Sequence, residues 1–355
     1  MRKKLVGIYT IQTQNYGNRL QNYAVQSILK QNNYTPRSLY TYDLDELSQK
    51  YKVTKKVYLI LKRIQETIEI NLKYDFSSNF KRFNKKIIYS SEWIGKQTIS
   101  SNICTKYDSI IVGSDQIWNT TFDWLSNNVF IPVPHPKKIS FSASFGVDSI
   151  PYDQQIVECL KDFKALSVRE EAGANIIKEL TDRDATVLVD PTMLLTKEEW
   201  RNVSKKPKGA KKGGYILTYF LSSKCDAAKE SLEELRKGRK VHELLNPNDK
   251  VAGTAGPSEF LWLVDHADLI LTDSFHACVF SFLFGKPFLV YDRNWNEGNM
   301  NSRLDTLLSK FYLERKYANS GLENDLWEHD YTEGYKELEI EKEKAINFLK
   351  KALED

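Results

Sequence analysis

Short apolar runs bounded by polar turns recur along the chain and read as strands, and apolar positions three or four apart follow several of them and read as helices. Leu5–Tyr9 is the first run. A polar loop, Thr10–Gly17, follows it, and Leu20, Tyr23, Ala24, Ile28 and Leu29 mark a helix from about Asn18 to Gln31. Runs at 36–42, Ile110–Val112, Ile139–Phe141, Ala165–Val168, Val187–Val189 and Tyr215–Leu221 predict further strands. Helices are expected over Asp153–Phe163, up to Leu180 after Arg169, over Ala227–Arg236 and Pro257–Val264, and near Arg303–Phe311 and Tyr335–Ala352. The densest pattern is Ile270–Asp292. A β-forming run, Leu269–Leu271, ends at Thr272-Asp273-Ser274, an apolar helix spans Phe275–Phe284, and Gly285-Lys286-Pro287 stops it before a second run, Phe288–Tyr291.

Strand, helix, strand in that order predicts parallel strands joined by right-handed crossovers, in open sheets that bind ligands at the carboxyl ends of their strands. Three residues fall at such ends. His276 is in the first turn of the apolar helix, Asp115 is in the loop Gly113-Ser114-Asp115-Gln116, and Arg169 follows Ala165–Val168. Asn15, Tyr16, Gly17 and Asn18 stand at another strand-to-helix junction, where free N–H groups attract anions or hydroxyls. Each has a plainer reading. Asn18 and Asp115 can be N-caps, Arg169 can pair with Glu170 or Glu171 on the surface, and a lone His in an apolar helix can be a core residue. Gly253-Thr254-Ala255-Gly256 could hold a phosphate, although it matches no phosphate-loop pattern.

Residues 201–214, RNVSKKPKGAKKGG, lack apolar periodicity and predict a boundary between an N-terminal domain, 1–204, and a C-terminal domain, 215–355, with 205–214 as linker. The 355 residues, 41% hydrophobic and 28% charged, are ordinary for two globular domains. A net charge of +4 hides an asymmetry. Residues 1–100 carry 18 Lys and Arg against 7 Asp and Glu, and the remainder carries 33 against 40. A basic N-terminal third suits an anionic partner, either a phosphate-bearing substrate or a membrane surface. Much of it is a helical insertion, about 43–88, whose Val57, Ile60, Leu61, Ile64 and Ile68 share one face. That stripe either faces the core or lies on an anionic membrane. No nucleic-acid motif or interleaved aromatic platform is present. Cys104, Cys159, Cys225 and Cys278 show no metal spacing and are expected as reduced thiols of a cytoplasmic protein; no cofactor or metal is expected. The start, MRKKLVGIYTIQ, reads as a first strand rather than a signal peptide.

NYGN with the LQNYA helix after it, VGSDQIWN, the strand ending in SxSFG, the SVRE turn, VDPTMLL and TDSFHACVFSFLFGKPF run in order from Asn15 to about Arg303. Together they resemble the polysaccharide pyruvyl transferase family. The resemblance implies an α/β chain of two Rossmann-like domains in a GT-B-like glycosyltransferase architecture, with parallel sheets and an active site in an inter-domain cleft. It also implies transfer of the enolpyruvyl group of phosphoenolpyruvate onto two hydroxyls of a sugar. A cell-surface polysaccharide or its lipid-linked precursor would be the acceptor, at the cytoplasmic face of a membrane. That chemistry needs a general acid, a base and cations for two anionic groups. His276 matches the motif histidine, as general acid or phosphate contact, and Arg169 matches an arginine that would clamp carboxylate or phosphate. Asp115 is the candidate base or sugar-hydroxyl anchor, with Ser114 and Gln116 beside it. The chain departs from the pattern at Ser274, where many members carry Arg, and at Ala277, where relatives with the SFH form often carry Gly. Lys286, Arg293 or Arg303 could supply the missing charge, or Ser274 could bond a phosphate oxygen at the helix start. Two other functions fit the same pattern. One is a nucleotide-sugar glycosyltransferase using Asp265, Asp268 or Asp273, and the other is a carbohydrate-binding relative without activity.

Overall fold

The computed structural model describes residues 2–40, 75–93, 102–122, 127–131, 135, 137–292, 302–318, 326–327 and 330–354. They fall into two compact units, Met1–Pro191 with Asn347–Asp355, and Thr192–Ile346. Most of the expected basic insertion, and Arg293, lie outside the described residues.

In the first unit, β1 (Leu5–Tyr9) leads to α1 (Tyr16–Gln31) and β2 (Thr35–Tyr40). Then come α2 (Asp75–Asn84), β3 (Tyr89–Trp93), α3 (Ile103–Lys106), β4 (Ser109–Val112) and β5 (Lys138–Ser140). The sheet order is β3-β2-β1-β4-β5, all parallel. β4 is buried throughout and β1 nearly so, as apolar runs in the middle of a parallel sheet must be. Beyond them α4 (Gln154–Lys161), β6 (Ser167–Val168), α5 (Glu171–Thr181) and β7 (Thr186–Val187) follow, with β6 pairing β7. Reciprocal bonds between Ser140 and Ser167 carry this pair alongside β5. Under the sheet Trp118 stacks on Phe130 at 5.6 Å and meets Phe163 edge-on at 5.6 Å, so one indole unites three segments.

α1 begins at Tyr16, two residues before the expected start, because Asn15 rather than Asn18 is the cap: its side chain accepts from Gly17 N at 2.8 Å. That frees the Asn18 side chain for other work.

The second unit opens with α6 (Lys197–Val203), closed at its start by a reciprocal Thr196–Glu199 capping box. β8 (Tyr215–Tyr219), α7 (Asp226–Arg236), β9 (Lys240–Glu243), α8 (Pro257–His266), β10 (Leu269–Thr272), α9 (Phe275–Leu283) and β11 (Phe288–Val290) follow. The parallel order is β11-β10-β8-β9. α10 (Ser302–Lys310) and α11 (Thr332–Glu354) complete the chain, and α11 from Asn347 onward belongs to the first unit. The division falls before the expected linker, for a visible reason. Trp200 is buried edge-on against Phe280 at 5.1 Å and Arg201 forks onto Asp265, so α6 belongs to the second unit.

Candidate functional site

In an open parallel sheet a ligand crevice forms where neighbouring strands send their connections to opposite sides. In the first unit this switch lies between β1 and β4. The loops leaving those two strands carry Asn15–Asn18 and Gly113–Gln116, and they meet there. The Asn18 side-chain amide donates to Asp115 Oδ2. Ser114 N donates to Gln21 Oε1 at 3.2 Å, and Gln21 Nε2 donates to Thr10 Oγ1 at 2.6 Å. Asp115 takes a left-handed backbone, φ 67°, which Asp tolerates better than most residues. It is held so by its own Oδ1, which accepts from Gln116 N at 2.9 Å, and by its carbonyl, which accepts from Ser144 N at 2.9 Å. Gly113 (φ 118°) permits the turn, since a Cβ there would lie 2.5 Å from the Phe141 carbonyl.

Arg169, expected to clamp an anion, directs its fork at carboxylates instead. Nη1 donates to Asp190 Oδ2 at 2.7 Å and Nη2 lies 3.5 Å from Asp115 Oδ1, all three side chains being buried. Burial works against the charge of Arg169, but Asp190, Asp115 and Glu170 outweigh it and hold the guanidinium above its ordinary pKa. With its carboxylates ionised this cluster carries net negative charge, a poor host for phosphate and a good one for hydroxyls. Ser114 Oγ donates to Ser142 O at 2.7 Å and lies 3.3 Å from Asp190 Oδ2. Asp190, Glu170 and Gln21 join this cluster although the sequence does not single them out. The first two follow strand ends, which was the signal available. Tyr16 stacks on Phe80 at 5.4 Å and serves packing. Arg19, further along α1, donates to Tyr89 Oη and Gln12 O, both neutral.

In the second unit the switch lies between β8 and β10. Asp273 laces it: Oδ1 accepts from Leu221 N at 2.7 Å, and Oδ2 from Ser222 N at 3.1 Å and Ser222 Oγ at 2.8 Å. Ser274 caps α9 by position only, its hydroxyl making no cap bond, while its N–H donates to Thr272 Oγ1 at 2.9 Å. His276, two residues on, is 6% exposed, its ring edge-on to Phe275 at 5.3 Å. The Arg303 guanidinium sits 5.9 Å from the centre of the same Phe275 ring. Arg303 is thus brought to the motif helix. Lys286 is not. It precedes β11 at the amino end of the parallel sheet, where burial lowers its pKa and its charged neighbours are Asp265, Asp268 and Arg201. In 253–256 the amides of Gly253, Ala255 and Gly256 already donate to Asp249, Ala252 and Glu259, so the stretch is a set of local turns.

A family model described as polysaccharide pyruvyl transferase matches residues 15–294, a span that contains Asn18, Asp115, Arg169, Asp190, Asp273, Ser274 and His276, while Arg303 lies beyond it. The chain belongs to the polysaccharide pyruvyl transferase family. No curated protein matches it. Among solved structures, a putative UDP-N-acetylglucosamine 2-epimerase from Listeria monocytogenes is 10% identical, with 94% of each chain covered and a TM-score of 0.48. The UDP-GlcNAc 2-epimerase from Neisseria meningitidis is 14% identical over 98% of this chain and 100% of that one, TM-score 0.42. An α-glucosyltransferase in complex with UDP and DNA is 8% identical over 98% and 95%, TM-score 0.46. At these scores the likenesses carry no argument. What the transferase family has in this chain is two parallel sheets, each with a polar cluster at its switch point. Among the described residues no helix is long and apolar enough to cross a membrane, and no group of His, Cys, Asp and Glu could hold a metal.

Proposed function

We propose that the protein transfers the pyruvyl group of phosphoenolpyruvate onto two hydroxyls of one sugar, giving a cyclic ketal and inorganic phosphate. The acceptor is a cell-surface polysaccharide or its lipid-linked precursor, and the basic N-terminal third favours an anionic carrier at the inner face of a membrane. The observation that carries this reading is the family match over residues 15–294, whose span includes His276, Asp115 and Arg169 at strand ends.

His276 protonates the methylene carbon of phosphoenolpyruvate, which becomes the methyl group and leaves an oxocarbenium centre at the neighbouring carbon. One sugar hydroxyl attacks that centre and gives its proton to Asp115. The carbon–oxygen bond to phosphate then breaks, the second hydroxyl closes the ring, and its proton leaves with the phosphate. Arg303, with Ser274 at the start of α9, meets the donor's anionic groups. Arg169 acts at one remove, holding Asp115 in place and balancing its charge. No cofactor takes part.

The glycosyltransferase reading needs a ribose-binding carboxylate in the second unit. Each of its three candidates is engaged: Asp265 takes the Arg201 fork at 2.9 Å, Asp268 accepts from Gly214 N at 3.0 Å, and Asp273 binds the loop after β8. Phosphate release from phosphoenolpyruvate on adding candidate acceptors, with the acceptor's mass gain of one ketal, tests the proposal. No release with any acceptor, together with a thermal shift by UDP-sugars and none by phosphoenolpyruvate, would sink it.

A further inference from the structure

Three helices of the first unit end at the amino edge of its parallel sheet. α1 stops at Gln31 before β2, α2 stops at Asn84 before β3, and α11 reaches the start of β1, where Lys4 Nζ donates to the Leu353 carbonyl at 3.4 Å. β3, β2 and β1 are neighbours. At about 4.8 Å per strand their amino ends span about 10 Å. Basic residues mark each of these ends: Lys85 and Lys86 before β3, Lys30 before β2 with Arg37 inside it, and Arg2, Lys3 and Lys4 before β1. Arg37 is half-buried and the other six are exposed. Lys3, Lys30, Arg37, Lys85 and Lys86 form no ion pair among the described residues.

The plainer use of these cations is to answer the three helix ends. Asp108, which accepts from Leu5 N at 2.6 Å and lies 3.6 Å from Arg2, adds one carboxylate, and Glu354, close enough to act on Tyr34 just before β2, adds another. A helix end carries about half a negative charge, so the basic residues exceed all of this by about three charges. The crowding is felt at Lys30, whose pKa is lowered by partial burial and then by the charge of Arg37. The charges lie within about a Debye length of one another in physiological salt, and so act as one field. One apolar residue stands among them. Ile88, between Lys86 and β3, is pinned by its backbone, its N–H donating to Gln26 Oε1 at 3.0 Å and its carbonyl accepting from Ser38 N at 2.9 Å, yet it is 38% exposed. An aliphatic side chain ringed by lysines suits the boundary between head groups and acyl chains. Nucleic acid draws on aromatic platforms for its bases, and Ile88 supplies none.

We infer that the amino edge of the first sheet is a surface for membranes rich in anionic lipid, with Lys3, Lys30, Lys85 and Lys86 on the head groups and Ile88 at the acyl boundary. β1 has five residues, which sets this edge about 17 Å from the strand ends that carry Asp115. Lipid contact there leaves that cluster uncovered. The inference rests on the proposed transfer for its purpose, which is to hold the protein where a lipid-linked acceptor is found, while the contact itself stands on the charge and on Ile88.

The test uses the full chain and flotation with vesicles of phosphatidylcholine, alone or mixed with phosphatidylglycerol. Binding is expected to the mixed vesicles only, and it should fall as salt is raised. Lys3→Gln, Lys30→Gln and Lys86→Gln combined should weaken it about a hundredfold, at about fivefold per basic residue. Ile88→Asn should weaken it too, with the salt dependence kept. Phosphate release from phosphoenolpyruvate with a water-soluble acceptor should be the same in every variant, since none touches either strand-end cluster. Arg37→Gln with Lys85→Gln carries the result if the triple variant does not fold. No binding to the mixed vesicles overturns the surface, as does equal binding to the neutral ones, undiminished binding in folded charge variants, or a short DNA duplex bound more tightly than the mixed vesicles. Vesicle binding that the variants weaken, without ketal formation on any acceptor, would keep the surface and remove the reaction. Ketal formation by a protein that ignores both kinds of vesicle would do the reverse.

Discussion

At the switch point of the first unit, the loops after β1 and β4 gather Asn18, Asp115, Arg169 and Asp190 into a buried hydrogen-bonded set in which carboxylates outnumber the guanidinium. At the switch point of the second unit the comparable place is the start of α9, a helix buried along its whole length, with His276, Ser274, Arg303 and Asp273 as its polar company. The two sheets share a topology device and differ in their balance of charge: carboxylates outnumber the cation in the first, while in the second Arg303 is set against the single carboxylate of Asp273, whose oxygens are taken up by Leu221 and Ser222. A cluster rich in carboxylates can hold neutral hydroxyls and take a proton from one. A helix start with an imidazole and a guanidinium can hold an anion and give a proton. The difference teaches that the strand-tip position sets where chemistry happens, while the partners of each charge set which chemistry it is.

The comparison breaks most sharply at His276. His276→Ala should lower the rate of phosphate release by about 10²–10⁴, the range for losing a general acid, with the fold retained as judged by circular dichroism. A variant as active as the parent would return His276 to the role of a core residue. Asp115→Asn should cost about a hundredfold in kcat, at the low end of the same range, since the amide keeps the shape and some of the hydrogen bonds but cannot take the proton. An effect confined to thermal stability would make Asp115 a scaffold for its loop only.

The cation at the donor end gives the next, smaller effect. Arg303→Gln should raise KM for phosphoenolpyruvate by about tenfold or more, the worth of a charge-assisted hydrogen bond, whereas Lys286→Gln should leave it within about twofold. The reverse pattern would place the donor's phosphate at the amino end of the second sheet.

Most of the fold was legible because its central strands are continuous apolar runs and its helices carry clear apolar stripes. Helices α3 and α6 and strands β3 and β9 were not. α6 falls against the Lys- and Gly-rich stretch that hides its two buried residues, Trp200 and Val203, and Lys240–Glu243 is a partly exposed edge strand with one strong β-former, Val241. The candidate site was legible in its positions and less so in its connections. Strand ends pointed to Asp115, Arg169 and His276, but nothing local says that Arg169 meets Asp190, 21 residues later, or that Asn18 meets Asp115 across 97. Those pairings belong to the sheet order. Lys286 shows the same limit from the other side. It stands ten residues from His276 in sequence, and a helix of nine residues carries it to the opposite edge of the sheet.

The smallest effect expected lies away from both sites and concerns how the first unit holds a carboxylate that does no chemistry. Glu92, in β3, is buried, which works against its charge, but Lys106 Nζ at 2.6 Å, Ser90, Tyr107 Oη at 2.8 Å and Ser91 Oγ at 2.9 Å all donate to it and bring its pKa down to about 2. An unfolded glutamate titrates near 4.3, so the folded state favours the ionised form. The stability this contributes is therefore complete above about pH 4.3 and is lost as the pH falls from there towards 2. Glu92→Gln removes the charge and with it the dependence. The variant should melt several degrees below the parent at pH 7, and the gap should narrow steadily below pH 4.3. A gap that stays constant down to pH 2.5 would mean that Glu92 stabilises the first unit through its shape and neutral hydrogen bonds alone.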